Sequence, residues 1–325
     1  MVIVTGSAGF IGFHLSFKLL EKGYEVIGID NMNNYYDPKL KKDRNSLLSK
    51  FPNYHFYLLD LKDKDSTIAL FKKFNPDYVI HLAAQAGVRY SFENTDAYIE
   101  SNIIVFHNIL EACKICPPKH LLFASSSSVY GNTYKLPFSI QDCADKPLSI
   151  YAATKRSNEL FAYVYSKTYG IPTTGLRFFT VYGPWGRPDM SYFKFTKLIL
   201  EDKEIELYKN GCVKRDFTYI DDIIQSLIII LETPPFFEKE DEKYRIYNIG
   251  NKNPVDIEKI VEILENIIGK RAKKIYKPLP KGDALVTCAE TIELERDYNF
   301  KPNTPLEKGL ENFYKWYKQY YGIEV

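Results

Sequence analysis

Long apolar runs and an excess of either charge are missing from this sequence. The longest apolar run, Ile223 to Leu231, is interrupted by Gln225 and Ser226. A membrane span needs about 20 apolar residues, so none is expected. The 325 residues include 43 Lys and Arg against 41 Asp and Glu, a formal net charge of +2. Such a balance gives no excess of positive charge that would bind nucleic acid or a membrane surface, and neither partner is expected.

Cysteines are few as well, and their number argues against a disulfide framework. The chain has five, an odd count in a long sequence. Cys113 and Cys116 form a single CxxC with no second pair at metal-ligand spacing, so no metal site is expected. Met1 leads directly into the apolar Val2–Val4, without the features of a signal peptide. We therefore expect a reducing, cytoplasmic location.

What the sequence does contain is an alternation of short apolar runs and helical patterns, typical of βαβ units. The predicted strands are 2–5, 25–29, 54–59, 78–82, 120–124 and 173–177, the helices 11–22, 99–116 and 151–169, with a polar loop at 31–42. Beyond residue 180, Gly and Pro punctuate shorter elements, and Ile246–Ile249 resembles a returning strand. We predict an α/β fold with a doubly wound parallel sheet. The nucleotide-binding domain is predicted over 1–180 and also includes returning segments near 215–250. A smaller, interleaved domain over 181–325 is predicted to bind mainly the substrate.

A glycine-rich turn, TGSAGFIG at 5–12, joins the first predicted strand to the first helix. Gly6 permits the tight turn, Gly9 lets a pyrophosphate approach the backbone, and Gly12 allows close helix–strand packing. The unpaired N–H groups of the helix N-terminus favour phosphate. By itself the GxxGxxG spacing is weak evidence of nucleotide binding, because a purely structural turn could use the same residues.

Asp30, at the end of the second predicted strand, strengthens that interpretation. A carboxylate there accepts the ribose hydroxyls of an adenosine and repels a 2′-phosphate. No Arg or Lys follows before Lys39, which favours NAD over NADP. A solvated loop acid is the alternative for Asp30. Together, turn and acid predict a Rossmann-like first domain.

Tyr151 and Lys155 are spaced to project from one face of a helix, within YAATK. A free tyrosine has a pKa of about 10, and a lysine ammonium together with a nicotinamide cation would favour its phenolate. The spacing alone is weak evidence of a catalytic pair, since it recurs in Tyr163–Lys167, Tyr35–Lys39 and Tyr314–Lys318. What distinguishes Tyr151 is its place after the glycine turn, the acid and the hydroxyl-rich strand end Ser125–Ser128.

Together these features resemble the extended short-chain dehydrogenase/reductase family over essentially the whole chain. The matching pieces are TGSAGFIG, Asp30, Asp60-Leu61, HLAAQ (81–85), Asn102, SSSSVYG (125–131), YAATK, RFFTVYGP (177–184) and RDFTYIDD (215–222). The resemblance implies a catalytic set of Ser126, Tyr151 and Lys155. It also implies a homodimer formed through the helices at 102–116 and 151–169. The NAD-binding residues that it implies are Gly6, Gly9, Phe10, Ile11, Gly12, Asp30, Asn31, Asp60, Leu61, Leu82, Ala83, Ala84, Gln85, Asn102, Tyr151 and Lys155.

Three stretches resemble the UDP-glucuronate 4-epimerase branch of that family: 30–41, 83–94 and 179–190. Thr180 stands where UDP-glucose 4-epimerases usually carry Asn. Ser127 and Ser128 stand where related dehydratases or decarboxylases carry acids before VYG. The resemblance thus implies an NAD-dependent isomerase that inverts carbon 4 of UDP-glucuronate to give UDP-galacturonate through a 4-keto intermediate.

The substrate residues implied are Arg89, Ser126, Ser127, Tyr151, Thr180, Arg187, Arg215 and Asp283. Ser127, Thr180 and Arg187 are candidates to hold the sugar carboxylate, with Arg89 near the sugar. Arg215 would hold the diphosphate and Asp283 a uridine ribose hydroxyl, although Lys281 stands where many relatives carry Arg. Two alternatives remain: a 4-epimerase of a neutral UDP-hexose or UDP-N-acetylhexosamine, and a non-catalytic NAD-binding regulator. The intact Ser126, Tyr151 and Lys155 argue against the regulator.

Overall fold

The computed structural model describes residues 1–131, 133, 135–208, 212–235 and 243–323. Its strands in chain order are β1 (Val2–Thr5), β2 (Val26–Asp30), β3 (Tyr54–Leu58), β4 (Tyr78–His81), β5 (His120–Ser126), β6 (Thr173–Phe178), β7 (Thr180–Tyr182), β8 (Glu204–Tyr208), β9 (Lys214–Tyr219), β10 (Tyr244–Ile249), β11 (Pro254–Asp256) and β12 (Lys273–Lys277). The helices are α1 (Phe10–Glu21), α2 (Pro38–Leu48), α3 (Lys64–Phe74), α4 (Tyr90–Glu93), α5 (Thr95–Tyr98), α6 (Val105–Ile115), α7 (Ile150–Tyr169), α8 (Ser191–Leu200), α9 (Ile220–Glu232), α10 (Ile257–Ile268), α11 (Ile292–Tyr298) and α12 (Leu306–Tyr321). A π-helical segment, Ile99–Ile104, precedes α6, and a 3₁₀ turn, Ser127–Tyr130, follows β5.

A parallel sheet of seven strands forms the centre, in the order β3-β2-β1-β4-β5-β6-β10. The strand order reverses between β1 and β4, and ligands of such sheets bind outside the carboxyl ends at that point. Alternate residues of β1 face opposite layers: Val2 and Val4 join one buried apolar cluster and Ile3 the other. The predicted α/β class with a doubly wound parallel sheet is confirmed.

The last strand of this sheet comes from the second half of the chain, because β10 pairs with β6. The remaining strands form a three-stranded sheet, β11-β9-β7, and a two-stranded one, β12-β8. Buried Asp216 on β9 ties these parts together by accepting hydrogen bonds from the backbone N–H groups of Asn251, Lys252 and Ala289 at 2.7 to 3.0 Å. None of the described helices is long and apolar enough to cross a membrane.

Two predicted elements differ from the structure. The loop predicted over 31–42 was wrong in its second half, because α2 begins at Pro38. Asp37 caps that helix by accepting the Lys39 N–H at 2.9 Å, and proline suits the first helical position. The helix predicted over 99–116 is interrupted, since its first six residues are π-helical. Cys113 and Cys116, near its end, are buried free thiols.

Candidate active site

Two clefts open at the carboxyl edge of the large sheet and meet at Ser126 and Tyr151, which line both. The first cleft collects nearly all the side chains and backbone segments predicted to bind a dinucleotide. It is lined by Gly6, Gly9, Phe10, Ile11, Gly12, Asp30, Asn31, Asp60, Leu61, Leu82, Ala83, Ala84, Gln85, Tyr151 and Lys155.

The glycine turn leaves no room for side chains. Gly6 has φ +70°, and a Cβ there would lie 2.8 Å from the backbone nitrogen of Ala83. A Cβ on Gly12 would lie 2.0 Å from the Gly6 carbonyl oxygen, so only glycine allows α1 to approach the turn. Helix α1 begins after Gly9, and no side chain caps its first turn. Its N–H groups therefore suit a diphosphate.

Asp30 ends β2 at the far side of the same cleft, where it is 7% exposed. Its Oδ1 accepts the Met32 N–H at 2.8 Å and lies 3.7 Å from Nζ of Lys41. A cation thus lies near Asp30 although no Arg or Lys follows it before Lys39, because α2 carries Lys41 back into the cleft. Lys41 also donates to Asn33 at 2.9 Å.

Asn102 does not line either cleft. Its Oδ1 accepts the Gln85 N–H at 2.8 Å, and its Nδ2 donates to the Gln85 carbonyl and to the Thr154 hydroxyl. Because Thr154 lies on α7 beside Lys155, Asn102 connects the loop after β4 with the helix that carries Tyr151. The structure thus places it behind the cleft, as a brace.

Of the three residues predicted to be catalytic, Ser126 and Tyr151 lie where the clefts meet, and Lys155 lines the first cleft. Lys155 donates from Nζ to the Ala124 carbonyl at 2.9 Å. Burial raises the pKa of Tyr151, opposed by the Ser126 hydrogen bond and the positive charge of Arg187. Burial lowers the pKa of Lys155 to about 8. The cation that favours the Tyr151 phenolate in this structure is thus Arg187, which the sequence did not reveal.

The second cleft contains every residue predicted to bind the substrate. It is lined by Arg89, Ser126, Ser127, Tyr151, Thr180, Arg187, Arg215 and Asp283. Local structure explains the hydroxyl cluster: the Ser126 side chain accepts the Ser128 N–H at 3.1 Å and starts the 3₁₀ turn. That turn places Ser127 in the cleft. Thr180, at the start of β7, lies on its wall.

Arg187 is held in place by an acid two residues away. Its Nε and Nη2 donate to the two carboxylate oxygens of Asp189 at 3.0 and 2.5 Å. Tyr35 also donates to Asp189, at 3.4 Å. Although burial opposes it, the positive charge of Arg187 holds the pKa of Asp189 below its usual range, so this acid is ionised at neutral pH.

At the other end of the second cleft, two arginines approach Asp283. Arg89 donates to it from Nη2 at 2.8 Å and to the Tyr208 hydroxyl at 3.0 Å. Arg215 donates to the Lys214 and Leu285 carbonyls. Burial and the charge of Arg89 lower the pKa of Arg215, while Asp283 opposes both. The structure thus places Arg89 with the residues predicted for the nucleotide.

Sequence reasoning missed Tyr35, Lys41, Asp189 and Tyr208. Asp189 had one usable signal, its position two residues after Arg187 in GRPDM. Tyr35 and Lys41 lie within 30–41, one of the stretches that carry the resemblance, but nothing local assigned them a contact, and Tyr208 comes from a distant segment that only folding brings to the cleft.

The glycine turn, Asp30 and the Tyr151–Lys155 pair of the first cleft define an enzyme of the short-chain dehydrogenase/reductase type. The chain belongs to the NAD dependent epimerase/dehydratase family, whose model matches residues 2–250.

Three similar proteins cover nearly the whole chain. Protein CapI of Staphylococcus aureus is 48% identical over 98% of this chain and 99% of its own length. UDP-glucuronate 4-epimerase 4 of Arabidopsis thaliana is 46% identical over 98% of this chain and 76% of its own. The crystal structure of a UDP-glucuronic acid 4-epimerase from Bacillus cereus, in complex with UDP-glucuronic acid and NAD, superposes with a TM-score of 0.91. It is 37% identical and covers 98% of this chain and 99% of that one.

Proposed function

We propose that this protein interconverts UDP-glucuronate and UDP-galacturonate by inverting carbon 4. The observation that carries the proposal is an arginine, Arg187, that lines the same cleft as Tyr151, a cleft that serine and threonine also line. A base and a carboxylate-binding cation beside one another fit a sugar acid better than a neutral hexose. The similarity to UDP-glucuronate 4-epimerases of Arabidopsis thaliana and Bacillus cereus supports the same substrate.

The first cleft fits NAD, because the glycine turn leaves the backbone free of side chains and no side chain caps the N-terminus of α1. When bound, NAD accepts a hydride from carbon 4 and later returns it to the opposite face of the sugar. The N–H groups of α1 would hold the diphosphate, while Asp60 and Leu61 flank the adenine. Asp30 would accept the adenosine ribose hydroxyls through its Oδ2, since Oδ1 is engaged by the Met32 N–H.

Tyr151 acts as the base that removes the proton from the 4-hydroxyl, and Ser126, which lines both clefts with Tyr151, would orient that hydroxyl. Lys155 adds positive charge on the same helical face, and its bond to the Ala124 carbonyl fixes it against β5. Once the 4-keto sugar has turned about its diphosphate linkage, Tyr151 returns the proton to the oxygen of the inverted centre.

The 4-keto form of a sugar acid is a β-keto acid, which can lose carbon dioxide. Ser127, Thr180 and Arg187 would bind the carboxylate and hold its bond to carbon 5 out of alignment with the keto group. Neither Ser127 nor Ser128 can supply the acid that related decarboxylases place there. At the nucleotide end, Arg89 and Arg215 would neutralise the diphosphate, and Asp283 would accept a uridine ribose hydroxyl.

The first test is incubation of the purified protein with UDP-glucuronate, without added cofactor, followed by chromatography. We expect UDP-galacturonate with no net reduced nicotinamide and no carbon dioxide. UDP-pentose as the main product would mean that the serine cluster does not protect the carboxylate. No conversion of UDP-glucuronate even with NAD added, but turnover of a neutral UDP-hexose, would overturn the proposal.

Replacing Arg187 with alanine is expected to impair turnover of the acid sugar more than that of a neutral sugar, because only the acid sugar also loses the contact to its carboxylate. A hydrogen bond to a charged group is worth about 1.5–3 kcal/mol, so kcat/KM for UDP-glucuronate should fall roughly ten- to hundredfold. Initial rates with UDP-glucuronate and UDP-glucose measure the selectivity. Arg296→Ala, which removes an exposed arginine paired with Asp297, is the control and should change neither rate. Equal losses on both sugars would assign Arg187 to stabilising the fold or the base.

We further propose that two copies pair through α6 and α7, in a reducing, cytoplasmic setting. The two helices lie side by side, and their outer faces carry large apolar side chains that are 42 to 53% exposed. On α7 these are Leu160, Phe161, Tyr163, Val164 and Tyr169. The apolar surface continues onto Ile115 of α6 and onto Ile99 and Ile104 of the π-helical segment before it. A two-fold axis would cover the face of each copy with the same face of the other, as a four-helix bundle.

Introducing aspartate at both Leu160 and Val164 should therefore give a monomer in sedimentation velocity, because both charges would be buried in the pair. Ile292→Asp is the matched control: Ile292 is 56% exposed but lies on α11, so the dimer should persist. A double variant that still sediments as a dimer would place the interface elsewhere.

A further inference from the structure

Asp189 is an unexpected residue in a cleft that is to bind an anionic sugar. It lines the same cleft as Ser127, Thr180 and Arg187. A carboxylate there repels a sugar carboxylate unless a cation lies between them. Asp189 and Arg187 form a two-point ion pair whose side chains are 32% and 23% exposed, so their interaction is only partly screened by water.

The pair changes what Arg187 can offer to a ligand. A guanidinium has five N–H donors, and Asp189 takes those of Nε and one of Nη2. The edge formed by Nη1 and the second Nη2 hydrogen is left for a second carboxylate. Because Asp189 is ionised, it also offsets the positive charge that this carboxylate would meet.

Inversion at carbon 4 requires that Arg187 bind the sugar carboxylate only weakly enough to release it. The two faces of the 4-keto sugar must be presented in turn to the same side of the cofactor, so the carboxylate must leave its contacts and form them again. Breaking the contact of a close charge pair costs free energy, and that cost adds directly to the barrier for turning. An Arg187 whose charge was not offset by Asp189 would therefore bind the sugar carboxylate more tightly and slow turnover.

We propose that Asp189 determines both specificity and turnover, by holding Arg187 in the cleft and offsetting its charge. The hold on the sugar carboxylate is then strong enough to select the acid sugar and weak enough to release the 4-keto form. This inference rests on the proposed epimerase function. It assigns Asp189 a positioning role, since it acts through Arg187.

The test is Asp189→Asn, which keeps the size of the side chain and one acceptor oxygen but removes the charge. In a Tyr151→Phe background, which blocks turnover, we expect calorimetry to show about tenfold tighter binding of UDP-glucuronate and unchanged binding of UDP-glucose. In the otherwise unchanged enzyme, kcat should fall about tenfold with a lower KM, the pattern of a ground state bound too tightly. Reduced nicotinamide should accumulate during turnover, visible in its near-ultraviolet absorbance.

Two further variants make the result interpretable. Asp189→Ser also removes the charge and should shift the affinity ratio in the same direction. Asp145→Asn removes an exposed carboxylate that pairs with Arg156 outside both clefts, and should leave the ratio unchanged. Weaker binding of UDP-glucuronate by both Asp189 variants, or an unchanged ratio, would overturn the inference. If the unmodified enzyme fails to form UDP-galacturonate, the proposed function falls instead, and the affinity ratio still shows whether Asp189 limits the hold of Arg187.

Discussion

Tyr151→Phe should lower kcat for carbon-4 inversion by about 10²- to 10⁴-fold, the contribution of a positioned general base. The variant keeps the ring that closes the end of the cleft and loses only the oxygen that takes the proton. Bound nucleotide, measured after denaturation, and the affinity for UDP-glucuronate should both stay close to those of the unmodified protein. The loss should appear in kcat, because the missing interaction belongs to the chemical step.

The chain provides a matched control on the same helix. Tyr163 has a lysine four residues on, as Tyr151 has, but it is 45% exposed on the outer face of α7. Tyr163→Phe should leave kcat unchanged. A Tyr151→Phe enzyme that retains more than about a tenth of its kcat would assign the base to another group, since a general base contributes at least about 10²-fold.

Glu159→Ala should destabilise the fold by about 3–5 kcal/mol, the cost of leaving a buried charge without its partner. The Glu159 side chain is fully buried on α7, and its oxygens accept from Nε and Nη2 of Arg177 on β6, each at 2.8 Å. It also accepts from the Ser125 hydroxyl at 2.6 Å. Glu159 thus joins the helix that carries Tyr151 to β6 through Arg177, and to β5, the strand that carries Ser126, through Ser125. Urea unfolding, followed by circular dichroism, measures the change.

Removing both charges should cost much less than removing one. Glu159→Leu combined with Arg177→Met leaves no unpaired ion, so most of the stability should return. Glu262→Ala, which breaks an exposed pair with Lys259, should cost less than about 1 kcal/mol. Equal costs for the single and double variants would mean that packing, not charge, dominates at Glu159.

The stability that Glu159 provides should also depend on pH in a defined direction. Burial opposes ionisation of Glu159, but its hydrogen bonds to Arg177, Ser125 and Arg156 and the charge of Arg177 hold its pKa below the usual range. Such a group contributes fully above its unfolded pKa of about 4.3, and the contribution is lost as the pH falls through the lower folded value. At neutral pH the pair is therefore fully effective.

Local chemistry determined much of the architecture. The apolar runs of β1, β4 and β5 and the glycines at 6, 9 and 12 act through backbone sterics and burial, which depend on a few neighbouring residues. The sequence therefore predicted the class of the sheet and the first cleft. The helix that starts at Pro38 was missed because its composition is polar, which outweighed two local signals, the cap at Asp37 and the proline at the first helical position.

Position in sequence determined which residue types were available, and tertiary structure decided which of them interact. The spacing of Tyr151 and Lys155 suggested that the lysine ammonium would favour the tyrosine phenolate, yet the folded chain turns Lys155 to the Ala124 carbonyl and brings the charge of Arg187 to bear on Tyr151. Likewise, folding returned Lys41 to Asp30 and occupied one edge of Arg187 with Asp189. Electrostatic partners are chosen by distance and burial in three dimensions, and spacing along the chain fixes neither beyond a single helical turn.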